Sequence, residues 1–336
     1  VQAAEIRSVG PDGEAAVDAS TIELTDDQIA QIKEGGYTAA ICLHYGGNDW
    51  STSQQKGLED TFGELGIEIV AVTDANFSAE TQVSNIETVM AKKPDILVSI
   101  PTDATATADA YKQAAAAGIK IVFMDQRADG LEAGKDYVSV VSADNYGNGY
   151  ASGTVLGDAL GGKGKVAMVY YDANFAPTIQ RDEGFRDAMK NYPDIEIVTE
   201  QGFTDESGCA EQGDAILTQF PNIDGIYASW DVPMEGVLSA VRAAGMEGKV
   251  TLACNDLGNN VAREIASGNI AGGGAQMPYD QGVAEAKLAA LALLGEETPS
   301  YVAVPAETVT HENVLEAYTD VYHVETPDWL KEAYVE

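Results

Sequence analysis

The stretch Lys93-Pro94-Asp95-Ile96-Leu97-Val98-Ser99-Ile100 decides the fold class of this chain. A helical pattern runs into the proline, which cannot continue a helix, and the aspartate then favours a turn into an apolar, β-branched run. The same junction recurs at Pro193-Asp194-Ile195 and at Pro221-Asn222-Ile223. Each junction marks a switch from helix to strand, so the chain is predicted to alternate strands and helices.

The predicted strands follow one another at intervals of about 25–30 residues, which is the size of a strand–helix unit. Most are near-continuous apolar runs, typical of strands that are covered on both faces. They fall into two series, before and after about residue 143. The sequence therefore predicts an α/β fold with two doubly wound, Rossmann-like lobes and a ligand cleft between them. No long Pro-, Gly- or Ser-rich linker separates the lobes, so short crossing segments are expected to join them.

The N-terminal region has a different character. Residues 1–24 are acidic and lack clear periodicity, which favours a tether or a loosely packed arm. Thr25-Asp26-Asp27-Gln28 is typical of a capping box, and it predicts a short helix that ends at Gly35-Gly36. The chain starts at Val1 and not at a methionine, which fits a secreted protein whose leader has been removed.

The composition excludes several classes of function. The 336 residues carry a net charge of −35, from 54 acidic and 19 basic side chains. Nucleic acids are excluded as partners and anionic membrane surfaces are disfavoured, because both need clustered Lys and Arg. Such an acidic surface keeps a protein soluble and monomeric, so we expect a monomer.

Cysteine and histidine give no sign of a metal or cofactor. Cys42, Cys209 and Cys254 form no C-x-x-C pair and are predicted to be buried apolar residues, although a Cys209–Cys254 disulfide stays open. The three histidines show no metal-ligand spacing. We therefore predict no cofactor, no metal and no catalytic residue.

Polar and aromatic side chains cluster directly after the predicted strands, where the loops of parallel sheets bind ligands. The candidates are His44, Asn48, Asp49, Trp50, Asp125 and Gln126 in the first lobe, and Asn174, Arg181, Trp230, Asp256 and Gln276 in the second. Carboxylates and amides bridge neighbouring hydroxyl groups, and aromatic rings pack on the C–H faces of a sugar. Each Asp alone has an equal alternative as a helix cap, and each Trp alone fits core packing. Their joint placement around one cleft favours a sugar or polyol site.

Four stretches carry a resemblance to a known family. They are Phe123-Met124-Asp125-Gln126, Ser142-Ala143-Asp144-Asn145, Arg181-Asp182-Glu183-Gly184-Phe185 and Ala275-Gln276-Met277-Pro278. Together they resemble the periplasmic sugar-binding proteins of bacterial ABC transporters, of the ribose-binding type. The resemblance runs from Tyr37 to about Leu294.

The resemblance implies two lobes with three connecting strands, and a sugar that is buried when the lobes close. It implies sugar contacts at His44, Asn48, Trp50, Asp125, Trp230, Asp256 and Gln276. The chain departs from the ribose pattern, because Asp49-Trp50-Ser51 replaces a proline and paired phenylalanines, Gln126 replaces an arginine, and Ile179 stands where a second ligand-binding arginine is expected. A pentose or a linear polyol such as xylitol fits this pocket at least as well as ribose.

The resemblance also implies a location, a partner and domain boundaries. The protein is expected in the periplasm or outside the cell, with the lipid anchor left open, where it delivers its ligand to the membrane permease of an ABC transporter. Residues 1–36 form the acidic arm and short helix, 37–143 plus 277–303 the N-terminal lobe, and 144–276 plus 304–336 the C-terminal lobe and tail.

An enzyme remains the alternative. Gly147-x-Gly149-x-x-x-Gly153 follows a strand and opens a helix, as in a dinucleotide-binding fingerprint, but no clear selector for the ribose hydroxyl follows at the usual distance. We favour structural glycines, and an NAD(P)-dependent or carbohydrate-active enzyme is kept as the second interpretation. A regulator of the lactose-repressor kind would need a basic DNA-binding helix pair, and residues 1–36 are acidic.

Overall fold

The protein is described by a computed structural model over residues 5–335. It confirms the predicted α/β class with two doubly wound lobes. The strands are β1 (Val17–Asp18), β2 (Thr38–Leu43), β3 (Glu68–Asp74), β4 (Ile96–Ser99), β5 (Lys120–Met124), β6 (Ser139–Ala143), β7 (Lys163–Tyr171), β8 (Asp194–Phe203), β9 (Gly225–Ala228), β10 (Thr251–Cys254), β11 (Gly272–Ala275), β12 (Tyr301–Val304) and β13 (Glu307–Thr310).

Each lobe is built on one sheet. The first has the strand order β1-β12-β6-β5-β4-β2-β3, and all of its neighbours are parallel. The second has the order β13-β11-β10-β9-β7-β8, in which β13 is antiparallel to β11 and the other neighbours are parallel. The carboxyl ends of the parallel strands therefore define one loop-bearing edge in each lobe.

Helices pack against these sheets. They are α1 (Asp26–Gly35), α2 (Asp49–Glu64), α3 (Ala79–Ala91), α4 (Ala108–Ala116), α5 (Asn145–Ala159), α6 (Ala176–Met189), α7 (Cys209–Gln219), α8 (Asp231–Ala243), α9 (Asn259–Ala266), α10 (Pro278–Leu293), α11 (Val314–Tyr322) and α12 (Asp328–Ala333). The predicted capping box is confirmed, since Gln28 N–H donates to Thr25 Oγ1 at 3.3 Å while Thr25 N–H donates to Gln28 Oε1 at 2.9 Å. The helix ends at Gly36 with φ +63°, a left-handed cap that glycine adopts without strain.

The helix-to-strand junctions lie where the prolines predicted them. α3 ends before Pro94, and β4 begins at Ile96. The turn residue Asp95 has a further role, because its Oδ2 accepts the backbone N–H of Thr38 at 2.8 Å and so fixes the start of β2. At the third junction the strand begins at Gly225, two residues beyond Ile223, as predicted.

Both faces of each sheet are buried, as the continuous apolar runs predicted. In β4, Ile96 and Val98 face a cluster that contains Phe62 of α2, whereas Leu97 points to the opposite face and packs with Tyr111 of α4. All five of these side chains are fully buried. Alternation along a strand explains why neighbouring residues enter different cores.

The chain crosses between the lobes three times. The crossings lie between β6 and α5, between β11 and α10, and between β12 and β13. After α10 the chain supplies β12 to the first sheet and β13 to the second, and the helices α11 and α12 follow. The two lobes are therefore covalently linked along one side of the cleft.

The N-terminal arm is held against the protein at a few points, so of the two expectations the tether is wrong and the loosely packed arm describes residues 5–24, most of which are exposed or half-buried. Ser8 is buried, and its N–H and Oγ both donate to Asp144 Oδ1 at 2.8 Å. Arg127 makes a two-point ion pair with Asp12 at 2.7 and 2.8 Å. Asp144 opens the first crossing, so the arm is anchored to the connection between the lobes.

The glycine series that resembles a dinucleotide fingerprint serves helix packing. A Cβ atom at Gly149 would collide with the carbonyl oxygen of Arg181, and one at Gly153 would collide with Ala188. Both contacts lie between α5 and α6. The close approach of these helices explains the glycines and supports the structural interpretation.

The structure shows whether the cysteines form the disulfide that the sequence left open. Cys42, Cys209 and Cys254 are all buried and free, so the suggested Cys209–Cys254 disulfide is not formed. Within the described residues, none of the helices has both the length and the apolar character needed to cross a membrane.

Candidate functional site

A cavity of about 490 Å³, counting its mouth, lies between the lobes at the carboxyl ends of both sheets. One part of its wall is aromatic: His44, Tyr45, Trp50, Phe77, Tyr171, Phe175 and Trp230. Another part is polar: Asn48, Asp125, Thr178, Arg181, Asp231, Asp256 and Gln276. Both lobes contribute to each part, so a molecule in the cavity would contact both.

The aromatic wall joins the lobes through ring contacts. His44, after β2, stacks on Phe175, at the start of α6, with centroids 5.6 Å apart and planes at 15°. Tyr45 stacks on Phe77 at 4.2 Å, and Tyr171 meets Trp230 edge-on at 5.5 Å. These rings make a largely apolar part of the cavity wall.

His44 is a neutral member of this wall. It is 4% exposed, and burial lowers its pKa to about 3. Its Nδ1 is buried without a hydrogen-bond partner among the described residues. At neutral pH the ring therefore acts as an uncharged aromatic surface with one N–H group.

Each lobe places one aspartate at the cavity, and the two aspartates share the same backbone conformation. Asp125 follows β5 and Asp256 lies two residues beyond β10, and both have positive φ values, +55° and +70°. Asp125 N–H donates to Val141 O and Asp256 N–H donates to Gly274 O, each at 2.8 Å. A positive φ is uncommon for a residue with a side chain and occurs often at functional loops.

The Asp125 carboxylate is fixed through one oxygen. Oδ1 accepts from Ser142 Oγ at 3.0 Å, from Ala143 N–H at 3.3 Å and from Gln281 Nε2 at 3.3 Å. Burial raises the pKa of Asp125, and Arg181 opposes that shift. All of these hydrogen bonds use Oδ1 of Asp125, so its Oδ2 is available to a ligand.

Arg181 and Asp256 form the buried ion pair of the site. Arg181 Nη1 lies 3.3 Å from Asp256 Oδ2, and both side chains are at most 10% exposed. Arg181 Nε donates to Asn145 Oδ1 at 2.9 Å, and Gln276 Nε2 donates to Asp256 Oδ1 at 2.7 Å. Burial lowers the pKa of Arg181, but Asp256 and Asp125 outweigh it and the net pKa is raised.

The structure brings most of the predicted site residues together. Those on the cavity wall are His44, Asn48, Trp50, Asp125, Arg181, Trp230, Asp256 and Gln276. The two tryptophans come from different lobes. Trp50 Nε1 donates to Gln276 Oε1 at 3.2 Å, and Trp230 Nε1 donates to Glu206 Oε1 at 2.7 Å.

Three predicted residues lie outside the wall. Asn174 is exposed, and its neighbour Phe175 enters the cavity instead. Gln126 bridges the lobes, because its Oε1 accepts from Ala176 N–H at 3.0 Å. Asp49 also bridges them, since it accepts from the N–H and the Nδ2 of Asn259, each at 2.8 Å.

Several wall residues were absent from the prediction. Tyr45, Tyr171, Phe175 and Asp231 each adjoin a predicted strand end or a predicted site residue, so their positions in the loops were a usable signal. Phe77 lies in the loop after β3 with φ +58°, and no sequence pattern marked it.

Further contacts close the mouth of the cavity. Tyr45 OH donates to Glu206 Oε1 at 3.4 Å, which adds a third polar link between the lobes beside those of Gln126 and Asp49. Within residues 5–335, no cluster of three or more His, Cys, Asp or Glu side chains is arranged to hold a metal ion. The arrangement is suited to enclosing a polar molecule of limited size between the two lobes.

Comparison with known proteins agrees with this geometry. The family model described as the periplasmic binding protein domain matches residues 39–297. A D-ribose/D-allose-binding protein from Pseudomonas aeruginosa is 29% identical over 273 residues, which cover 78% of this chain and 83% of that protein.

Two solved structures are similar in sequence and in fold. An ABC transporter periplasmic solute binding protein from Actinobacillus succinogenes, with bound D-allose, has 29% identity and a TM-score of 0.76, covering 83% of this chain and 99% of that one. An ABC transporter solute binding protein from Agrobacterium vitis, with bound α-D-tagatopyranose, has 26% identity and a TM-score of 0.78, covering 87% and 100%. These similarities confirm the predicted two-lobe fold.

Proposed function

The chain belongs to the periplasmic binding protein family, and we propose that it captures a pentose or a sugar alcohol such as xylitol outside the cytoplasm. Closure of the two lobes buries the ligand, and the closed protein delivers it to the membrane permease of an ABC transporter. The protein acts as a monomer in this cycle.

The observation that carries the proposal is the composition of the cavity wall. Flat rings such as Phe175 and Trp230 offer faces for the C–H groups of a sugar. Asp125 Oδ2 and the Arg181 guanidinium offer a charged acceptor and charged donors for its hydroxyl groups. A molecule with one apolar face and several adjacent hydroxyls satisfies both parts of the wall.

The similar proteins support a small neutral sugar as the ligand. Two of them are named for, or were solved with, D-allose, and one with α-D-tagatopyranose. Arg181 is the single cationic side chain among the described residues that line the cavity. A wall with few cationic donors and several acceptors supports a polyol or pentose over an anionic solute.

The contacts between the lobes support hinge closure. Asp49, Gln126 and Tyr45 each bond across the mouth without being held by the crossing segments. Such bonds exist only while the lobes touch, so they add to the stability of a closed state that the ligand also favours.

A thermal-shift screen tests the proposal. D-ribose, D-arabinose, D-allose and xylitol are added in turn to the purified chain, and one of them is expected to raise the melting temperature. A ligand at about 100 times its dissociation constant stabilises the folded state by about 2.7 kcal/mol. The hit is then titrated by calorimetry.

Other outcomes of the screen decide against the proposal. Stabilisation by NAD or NADP, with no response to any sugar or polyol, would establish the enzyme alternative. Light scattering on the ligand-bound protein checks the monomer, and a stable dimer would contradict that part of the proposal.

A further inference from the structure

Asp231 is a buried carboxyl group on the cavity wall that the proposed function leaves without a role. It is the first residue of α8 and is 7% exposed. It lines the ligand cavity and also a smaller cavity behind it, which shares the wall residues Trp50, Asp256 and Gln276. Among the described residues its carboxyl group makes a hydrogen bond only with the next residue, because Asp231 Oδ1 accepts from Val232 N–H at 2.8 Å.

The surroundings of Asp231 are acidic. The charged groups that face it are Asp256 after β10, Glu235 on α8 and Asp49 on α2. The other titratable groups near it are Tyr45, Tyr322 and Cys254, which are neutral at physiological pH. Within residues 5–335, no Lys, Arg or His nitrogen forms an ion pair with Asp231.

The neighbouring Asp256 is the member of this pair of carboxyl groups that has a cationic partner. Its Oδ2 lies against the Arg181 guanidinium, and its Oδ1 accepts from Gln276. The single cation of the wall is therefore already engaged. Two neighbouring carboxylates of which only one contacts a cation repel each other, and a proton on the one without a cationic partner, Asp231, relieves the repulsion.

The position of Asp231 is fixed by packing. A Cβ atom at Gly258 would collide with Asp231 Oδ2, so the carboxyl group lies directly on the backbone at the start of α9. The N-terminus of α8 and the Val232 N–H favour the charged form of Asp231. Burial and the three acidic neighbours oppose it.

We propose that Asp231 is a specificity-determining residue that contacts the sugar or polyol of the proposed function as a neutral carboxylic acid, donating a hydrogen bond to a ligand oxygen. Burial and repulsion from Asp256 raise the pKa of Asp231 well above its usual range, in agreement with this state. Asp125 and Asp256 accept hydrogen bonds, whereas Asp231 supplies a donor on the same wall. The inference rests on the proposed function, because it needs a ligand with oxygen acceptors.

The test compares Asp231→Asn with Asp231→Leu. Asparagine keeps a neutral side chain with a donor, whereas leucine keeps the number of side-chain heavy atoms and removes the donor, at the cost of a larger volume. Affinities for D-ribose, D-arabinose, D-allose and xylitol are measured by calorimetry at about pH 6 and about pH 9. For each probe that binds the wild-type protein, D231N is expected to lose less than about threefold in affinity at the lower pH, and D231L about tenfold or more.

The pH dependence has a definite sign. The carboxyl group of Asp231 carries its proton below its pKa and loses it above that pKa. Any fall in the ligand affinity of the wild-type protein therefore comes with rising pH. The fall is smaller in D231N, because asparagine does not titrate. If D231L does not fold, the affinities of D231N and of the wild-type protein at the two pH values still test the inference. A loss of about tenfold or more in D231N at the lower pH would overturn the inference, because it would mean that the ligand needs an anion there. An unchanged affinity in folded D231L would overturn it as well.

An amine-bearing ligand is a separate outcome. If D-glucosamine binds more tightly than every neutral probe and D231N loses that binding, Asp231 acts as a carboxylate and the inference is wrong. If none of the four neutral probes binds the wild-type protein, the proposed function fails and the inference fails with it. Binding of a neutral probe with a D231N defect refutes the inference alone.

Discussion

Removal of the Asp49 carboxylate is expected to weaken ligand binding, although Asp49 lies outside the cavity wall. α9 begins at Asn259, and its cap residue Gly258 makes no side-chain capping bond. Asp49 from the other lobe supplies that cap, because its two oxygens accept the N–H and the Nδ2 of Asn259 at 2.8 Å each. The cap is thus made only when the lobes are together.

The size of the effect follows from the capping bond. A side-chain cap contributes about 0.5–2 kcal/mol. Asn259 is exposed, and exposed charge interactions are screened, so about 1 kcal/mol is expected for Asp49→Ala. The open state has no such bond to lose, so the whole amount is subtracted from closure and the dissociation constant rises about fivefold.

Titration calorimetry with the ligand found in the thermal-shift screen measures this effect. Asp109→Ala is the matched control, because Asp109 is an exposed acidic residue of the first lobe whose ion pair with Lys112, at 3.7 Å, is local to α4. The control should bind as the wild type does. The double variant with Asn259→Ala should show less than the sum of the two single losses. Equal affinity of Asp49→Ala and wild type, within about twofold, would refute closure through this bond.

Three further predictions concern the cavity wall. Phe175→Ala is expected to raise the dissociation constant at least about tenfold in calorimetry, because it removes both a stacking face and the ring that packs on His44, and unchanged affinity would contradict this. Arg181→Met should lower the free energy of unfolding in urea by about 3–5 kcal/mol, because it leaves the Asp256 carboxylate buried without its cation, and a further Asp256→Asn change should recover part of the loss. The pKa of His44 is about 3 in the folded protein and about 6.5 in the unfolded chain. Between these pH values the unfolded state binds more protons, so the free energy of unfolding falls as the pH drops through this range. His44→Phe should make the urea-unfolding free energy less sensitive to acid between about pH 6.5 and about pH 4.5, and an equal acid sensitivity in both proteins would be evidence against a buried neutral imidazole.

The alternation of strands and helices was predictable because local chemistry enforces it. Proline ends a helix unless it stands in the first turn, and the apolar run of β4 after Pro94-Asp95 identifies a strand covered on both faces. The strands β1, β12 and β13 were not predicted. β1 has only two residues, and β12 and β13 have four each, as β4 has, but none of the three follows a Pro-Asp or Pro-Asn junction. Their state depends on pairing with a neighbouring strand.

The candidate site was predictable as a set of loops but not in every side chain. Asn174 and Phe175 are adjacent, yet one is exposed and the other enters the cavity. Asn48 and Asp49 are adjacent as well, and the start of α2 turns the first towards the cavity and the second towards the other lobe. Loop direction and helix phase decide these cases, and neither is encoded by residue type alone.

Gln276 shows how ligand binding and lobe closure are joined in this molecule. It lies on the second crossing, where its Oε1 accepts from Trp50 of the first lobe at 3.2 Å and its Nε2 donates to Asp256 of the second at 2.7 Å. Asp256 in turn holds Arg181. A rotation of the lobes about the crossings changes the distance between Trp50 and Asp256, so it must alter at least one of the two bonds of this amide. In the proposed closure, a change in the bond to Asp256 would also reorient that carboxylate, which couples the hydroxyl geometry of the wall to the movement of the lobes.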